Sequence, residues 1–286
     1  MRVLIAGASG QLARAIRETW QGHELLCPEE SHFNLNDRES VRAAILGARP
    51  EVLLNAAAFT QVDRCETESD LAMRINGEAV AWMAEAANEA GTLLVQISTD
   101  YVFDGTAHRP YRESDPTNPQ SLYGRSKLLG EQNATLAREH LIVRTAWLYD
   151  SWGKNFYLTM LNAAAQGRKL RVVDDQRGTP TTCRALARQL RVATQEGWRG
   201  LVHGTCGGET TWYGFAAEIF RQSGIQADLA PCTTAEYPTP ARRPTYSVLD
   251  GTRRQQLGTD CMPDWREALG EVIQDRIIQS QRRNHV

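Results

Sequence analysis

The 286-residue sequence lacks the features that mark several specialised classes of protein. Its formal net charge of −2 provides no basic field of the kind that a binder of the nucleic-acid backbone needs. No window approaches the apolar length of a membrane span, and the apolar start "RVLIA" is too short for a signal sequence. We therefore expect a soluble, cytoplasmic protein that binds neither nucleic acid nor membrane.

Cysteine is present but has no pattern that indicates a metal site or a disulfide framework. The six cysteines form no CxxC pair, and no histidine follows them at zinc spacing. They are typical of the reduced, mostly buried thiols of a cytosolic protein.

Short apolar runs alternate with helix-length segments through the first half of the chain. The runs have no polar alternation, which is typical of strands buried on both faces of a parallel sheet. They lie at 2–6, 24–27, 52–55, 93–98 and 141–145, and the helical segments lie at 11–20, 38–47, 68–90 and 122–138. This order predicts an α/β fold with a Rossmann-type doubly wound parallel sheet over residues 1–150. We expect a smaller α/β substrate-binding portion over residues 151–286, interleaved with the first domain.

A glycine loop, "AGASGQLA", follows the first predicted strand and opens the first helix. Gly7 and Gly10 allow a tight turn and a close approach of the backbone to a pyrophosphate at the helix N-terminus. Many turns between a strand and a helix need a glycine for steric reasons alone. The position after the first strand favours a dinucleotide site, with Ala13 where a third glycine is more common.

The corner that would hold the adenosine ribose leaves the choice of dinucleotide open. An acidic residue at the end of the second strand can bind the ribose 2′-hydroxyl, and Glu29 is the candidate. Arg14 and Arg17 on the first helix could instead meet a 2′-phosphate. The sequence therefore allows NADPH or NADH.

"YGRSK" places Tyr123 and Lys127 four residues apart, so that both lie on one face of a helix. An ammonium in that position favours the phenolate, and we expect it to lower the pKa of Tyr123 towards neutral pH. Thr99, at the end of the strand in "ISTDYVFDG", lies where a doubly wound sheet binds its ligands. The alternative is a solvent-facing helix turn, but the glycine loop and the chain order favour proton transfer to a carbonyl oxygen.

Together with the loop, the stretches "NAAAFTQVD", "STDYVFDG" and "YGRSKLLGE" resemble the extended short-chain dehydrogenase/reductase family. The resemblance covers nearly the whole chain. The later stretches "RTAWLYDSWGKNF", "VVDDQRGTPT", "GETTWYGFA" and "YPTPARRPTYSVLD" narrow it to one branch. That branch reduces the keto group at carbon 4 of dTDP-4-dehydro-6-deoxy-L-mannose with NAD(P)H, a step of dTDP-rhamnose biosynthesis.

The resemblance implies a role for each matching residue. Tyr123, Lys127 and Thr99 match the catalytic set. The resemblance implies cofactor contacts at Gly10, Gln11, Leu12, Ala58 and Thr60, besides Tyr123 and Lys127. We also expect cofactor contacts at Gly7, Glu29, Asn34, Leu35, Phe59 and Ile97. The resemblance implies substrate contacts at Thr99, Asp100 and Trp147, although Trp147 could be a core residue. We also expect Tyr123 and Arg243 to contact the substrate, and Arg243 could equally cap a surface turn instead of binding the diphosphate.

Some members of the family form dimers through a magnesium ion held by a glutamate of the first helix. Ala15 stands at that position here, so we expect no metal, and a monomer or a homodimer.

Two other functions stay open at this point. One is a sibling 4-ketoreductase, or an epimerase or dehydratase, acting on another nucleotide-sugar. The dehydratase pattern Asp-Glu does not follow Thr99, which is followed by Asp100 and Tyr101. The other is a non-catalytic regulatory subunit of the type that serves methionine adenosyltransferase, which would have no need of an intact Thr99, Tyr123 and Lys127.

Overall fold

The computed structural model describes residues 1–283; residues 284–286, the end of the predicted second portion, lie outside it. The strands are β1 (Arg2–Ala6), β2 (Glu24–Leu26), β3 (Val52–Asn55), β4 (Leu93–Thr99), β5 (His140–Thr145), β6 (Leu148–Tyr149), β7 (Leu170–Val173), β8 (Arg177–Gly178), β9 (Thr181–Thr182), β10 (Gly200–His203), β11 (Thr210–Thr211) and β12 (Leu229–Cys232). The helices are α1 (Gln11–Thr19), α2 (Arg38–Ala48), α3 (Val62–Cys65), α4 (Ser69–Met73), α5 (Ala79–Ala90), α6 (Leu122–Ala134), α7 (Phe156–Ala165), α8 (Cys183–Gln195), α9 (Trp212–Ser223), α10 (Thr252–Gln256) and α11 (Trp265–Arg283).

A six-stranded parallel sheet in the order β10-β5-β4-β3-β1-β2 forms the centre of the fold. The apolar runs become its first five strands because helices cover both faces, and every residue of β3 and β4 is buried. Ile16 of α1 and Leu186 of α8 belong to the core on one face, and Val41 of α2 and Met83 of α5 to the core on the other. The predicted Rossmann-type fold is confirmed.

The predicted helix over 68–90 contains an irregular turn. It runs from α4 into a π-helical turn, Arg74–Glu78, and on into α5. The predicted helix over 122–138 ends earlier, at Ala134.

Residues beyond 150 enter the central layer as well as forming a layer of their own. β10 pairs with β5 as the sixth strand, and α8 packs against α1. The small pairs β6–β9, β7–β12 and β8–β11, with α7, α9 and α11, surround a separate core that includes Phe215 and Trp265. This arrangement agrees with interleaved portions, while the boundary near residue 150 stays a prediction. Among residues 1–283, no helix combines the length and apolarity needed to cross a membrane.

The carboxyl ends of the parallel strands share one edge of the sheet. The connection from β1 leads outward to β2, whereas β3 lies on the other side of β1, so the chain changes direction between β1 and β3. Doubly wound sheets bind ligands at such a point. The loops that follow β1, β3 and β4 all reach this edge.

Candidate active site

The glycine loop has the shape that a dinucleotide requires. Gly7 has φ +78°, and a Cβ there would lie 2.7 Å from the backbone of Ala57 in the loop after β3. Gly10 donates its amide to the Gly7 carbonyl at 2.9 Å and precedes α1 with no side-chain cap. The first amides of α1 are therefore left to bind an anion such as a pyrophosphate.

Gln11 and Leu12 offer their main chain rather than their side chains. Leu12 is buried in the core. The Gln11 side chain accepts from Asn155 Nδ2 at 2.8 Å and donates to the Lys154 carbonyl at 3.3 Å. Both predicted contacts can therefore only be made through backbone amides at the start of α1.

The predicted ribose and adenine corner is open. Glu29 is exposed two residues beyond Cys27, just past the end of β2. The Asn34 side chain accepts from the Asn36 amide at 3.0 Å, which is a turn within the loop. Leu35 is mostly buried in the core beneath α2, so it can offer a cofactor only its edge.

The wall formed by Ala58, Phe59 and Thr60 is held in place by a residue that sequence reasoning missed, Asn76. It lies on the π-helical turn and is 1% exposed. Its side-chain oxygen Oδ1 accepts from the Phe59 main-chain amide at 2.8 Å. Its Nδ2 donates to the Phe59 carbonyl at 3.1 Å and to Ser126 Oγ at 2.9 Å. A polar residue followed by a glycine within an apolar helix was the available signal, since π-turns often mark functional sites.

The predicted catalytic residues come together where α6 crosses the end of β4. The Ser121 hydroxyl caps α6 by accepting from the Gly124 amide at 3.1 Å. The Thr99 hydroxyl lies beside the phenol of Tyr123 and favours its ionised form. Thr99 donates to Asp100 Oδ1 at 3.0 Å. Tyr123 and Lys127 thus both lie against β4.

Lys127 is almost fully buried, with Nζ donating to the Ile97 carbonyl at 2.6 Å. Burial lowers the pKa of Lys127 to about 8, and the Glu131 carboxylate opposes this change. Burial raises the pKa of Tyr123 above its ordinary value, against the effect of the Thr99 hydroxyl. The predicted lowering of the phenol's pKa is therefore wrong for this arrangement, because the ammonium is bound to the main chain of β4 and burial dominates at the phenol.

Two of the predicted substrate residues lie near Tyr123 or its neighbour Tyr101. Asp100 is 2% exposed, and burial raises its pKa to about 6 against the Ser247 and Thr99 hydroxyls, which lower it. Arg243 forms an ion pair with Asp63 at 3.1 Å and lowers the pKa of Tyr101, which burial raises. The ring of Tyr101 contacts that of Tyr123 edge-on, with 5.6 Å between centroids.

Trp147 is only partly buried, and its backbone lies in the left-handed region with φ +48°. Its ring stacks on Trp212, with centroids 3.6 Å apart and planes 9° from parallel. Gly178 lies against its edge, so close that a Cβ there would meet the indole. A bulky residue with positive φ is uncommon and concentrates at functional sites, which supports the site interpretation over the core one.

Among residues 1–283, the histidine, cysteine, aspartate and glutamate side chains form no group of three or more that could hold a metal ion. Ala15, on α1, is buried in the core.

The chain is similar to known proteins over nearly its whole length. The family model described as RmlD substrate binding domain matches residues 1–277. A dTDP-4-dehydrorhamnose reductase of Streptomyces griseus is 41% identical over 280 residues, which is 94% of this chain and 92% of that protein. A solved dTDP-4-dehydrorhamnose reductase of Clostridium acetobutylicum ATCC 824 is 43% identical with a TM-score of 0.94, covering 98% of this chain and 100% of that one.

A third similar protein carries a cofactor. The dTDP-4-dehydrorhamnose reductase of Bacillus anthracis str. Ames, solved in complex with NADP, is 32% identical with a TM-score of 0.93, covering 96% of this chain and 99% of that one. With a family model spanning residues 1–277 and relatives this similar over nearly their full length, the chain belongs to the RmlD substrate binding domain family.

Proposed function

We propose that the protein is an NAD(P)H-dependent reductase that converts dTDP-4-dehydro-6-deoxy-L-mannose to dTDP-L-rhamnose. The observation that carries the proposal is that the Tyr123 phenol lies beside the Thr99 hydroxyl at the end of β4, with buried Lys127 one turn along α6. The names of the similar proteins support the substrate.

The glycine loop fits a dinucleotide, since side chains are excluded at Gly7 and α1 begins uncapped. The nicotinamide, when bound, supplies the hydride that reduces the keto carbon. The chain's own residues then complete the reaction. Thr99 and Tyr123 hold the carbonyl oxygen between two hydroxyls, and Tyr123 gives its proton to the developing alkoxide.

Burial keeps Tyr123 protonated at neutral pH but makes its phenol a weaker acid. Proton transfer therefore depends on the Lys127 ammonium, which stabilises the phenolate that remains after transfer. Lys127 can also bind the nicotinamide ribose if it leaves the Ile97 carbonyl, which would fix the orientation of the ring.

Three of the predicted substrate residues offer contacts to a nucleotide-sugar. The carboxylate of Asp100, beside the Ser247 hydroxyl, can accept from a sugar hydroxyl, and the exposed part of Trp147 can pack against the sugar ring. Arg243 can bind the diphosphate in place of Asp63. We place the enzyme in the cytoplasm, where its free cysteines stay reduced, as a monomer or a homodimer.

The test is the loss of NADPH and NADH absorbance with the dTDP-linked 4-keto sugar, beside UDP- and GDP-linked 4-keto sugars. We expect turnover with the dTDP compound and none with Tyr123→Phe. Faster turnover of another nucleotide-sugar would favour a sibling 4-ketoreductase or epimerase. No oxidation with any of them would favour a regulatory subunit.

A further inference from the structure

One face of α6 carries a third ionisable residue beyond the catalytic pair. Glu131 lies four residues after Lys127, as Lys127 lies four after Tyr123, so the three follow one another along the helix. Glu131 is buried and receives three hydrogen bonds. Arg144 of β5 donates from Nε at 2.8 Å and from Nη2 at 2.7 Å, and Ser98 of β4 donates at 2.5 Å.

The hydrogen-bond partner of Lys127 provides no negative charge that could balance the ammonium. The Ile97 carbonyl accepts a hydrogen bond from Nζ, but a neutral carbonyl does not balance an ammonium in a site with 3% exposure. Burial favours the neutral amine of such a lysine. Without a nearby negative charge, Lys127 would lose its proton near the pH at which the reaction must run.

Glu131 is the acidic residue that the four-residue spacing on α6 places beside Lys127, and its carboxylate raises the pKa of Lys127 against burial. Asp100 after β4 and Cys65 of α3 act instead on Tyr123. From β5, the charged group is Arg144, which is bound to Glu131. No charged side chain of α4 or α5 changes the pKa of Lys127.

We propose that Glu131 is a positioning residue for the reduction proposed above. Its carboxylate keeps Lys127 an ammonium in the buried position that this lysine occupies against β4. Arg144 and Ser98 hold that carboxylate in place, from the two strands next to the site. The alternative is a buried ion pair that serves folding alone, since such pairs also occur far from active sites.

The lysine content allows a direct measurement on the protein without cofactor. The sequence has three lysines, and Lys154 and Lys169 are exposed. Lys154→Arg with Lys169→Arg leaves Lys127 as the single lysine, so a carbon-13 label at lysine Cε reports its titration alone by NMR. We expect a midpoint of about 8 in this background.

Glu131→Gln keeps the shape of the side chain and removes its charge. The Lys127 midpoint should fall by about 1 pH unit or more. Ser98→Ala is the matched control, because it removes one hydrogen bond to the same carboxylate but keeps the charge, and the midpoint should stay. If Glu131→Gln does not fold with Arg144 unpaired, the double variant Glu131→Gln with Arg144→Met removes both charges and should still lower the midpoint. An unchanged midpoint in the folded variant overturns the proposal.

A second measurement ties the charge to turnover. The alkaline limb of kcat against pH should move to lower pH in Glu131→Gln and return towards its original place in Glu131→Asp. A limb that does not move while the NMR midpoint falls would overturn the link between the charge and the reaction. If the unaltered protein reduces no keto sugar, the proposed function fails, whereas the NMR midpoint still decides whether Glu131 sets the charge of Lys127.

Discussion

The two corners of the sheet edge where we propose ligand binding present different kinds of groups. Around β1 and α1, the cofactor corner consists of main-chain groups and an exposed Glu29. Around β4 and α6, the catalytic corner consists of buried side chains, including Lys127, Glu131 and Arg144. A pyrophosphate needs only a fixed backbone of the right shape, but proton transfer needs ionisable groups, and burial sets their pKa values. Substitutions should therefore affect binding at the first corner and rate at the second.

The largest effect is expected at the catalytic corner with Tyr123→Phe. The phenylalanine ring retains the contact with Tyr101, so the fold and the affinity for NADPH should stay. Loss of the proton donor should lower kcat by about 10²–10⁴-fold. Steady-state kinetics beside a fluorescence titration with NADPH measures both. A variant that keeps most of its kcat would remove Tyr123 from the chemistry.

At the cofactor corner, substitutions of two glycines should have different effects, one on stability and the other on NADPH affinity. Gly7→Ala forces a Cβ against Ala57 at positive φ and should lower the free energy of unfolding by about 1–3 kcal/mol. Gly10 has φ −72°, which any residue can adopt, and a Cβ there would lie 3.1 Å from the Gly7 carbonyl oxygen, a contact that a shift of a few tenths of an ångström relieves. Gly10→Val should therefore fold, but its side chain should weaken NADPH binding roughly tenfold or more, a loss of about 1.4 kcal/mol.

Thermal unfolding and cofactor titration separate these outcomes. The two variants act as controls for each other. If Gly10→Val binds NADPH as tightly as the unaltered protein, the loop is not where the pyrophosphate lies.

A variant of Asp100 tests whether a buried carboxylate in the catalytic corner lowers the free energy of unfolding. Its pKa is about 6 in the fold against an ordinary 3.8. Between those values the unfolded chain loses the proton and the folded chain keeps it, so stability falls as pH rises from about 4 to 6 and stays lower above that. The loss is roughly 3 kcal/mol, at 1.36 kcal/mol per unit.

Asp100→Asn should remove this decline. The variant should gain stability over the unaltered protein at pH 7 but not at pH 3.5, while losing affinity for the nucleotide-sugar. Urea unfolding at the two pH values provides the comparison. An equal difference at both would show that the carboxylate is not desolvated in the fold.

The sequence predicted those parts of the molecule that local geometry dictates. Unbroken apolar runs indicated buried strands, and a four-residue spacing brought Tyr123 and Lys127 to one helix face. For Asn76 it held only a polar residue before a glycine, and it could not indicate the pairing of Glu131 with Arg144, because their partners are distant in the chain. The pKa of Tyr123 moved against expectation for the same reason: spacing shows which charge is near but not how deeply the pair is buried.

Trp147 extends the comparison to the substrate side. Trp147→Ala should raise the KM for the nucleotide-sugar about tenfold, a loss of about 1.4 kcal/mol, and leave NADPH affinity unchanged. Trp147→Gly also removes the ring but suits the positive φ, so it should be the more stable of the two. If both variants lose stability and keep their KM, Trp147 is a core residue.

The smallest effect is expected at Glu29, where the exposed corner selects between dinucleotides. Its carboxylate can accept from a ribose 2′-hydroxyl and repels a 2′-phosphate, while Arg17 nearby on α1 is bound to the Ala8 carbonyl of the glycine loop. Glu29→Gln should shift the ratio of NADPH to NADH affinity about threefold towards NADPH, since exposed charges contribute about 0.2–1 kcal/mol. Glu30→Gln removes the neighbouring exposed carboxylate and is the matched control. Isothermal titration with each dinucleotide measures the ratio at low salt, where the charge effect is largest. An equal shift in both variants would mean that general charge, not the position of Glu29 at the end of β2, acts on the phosphate.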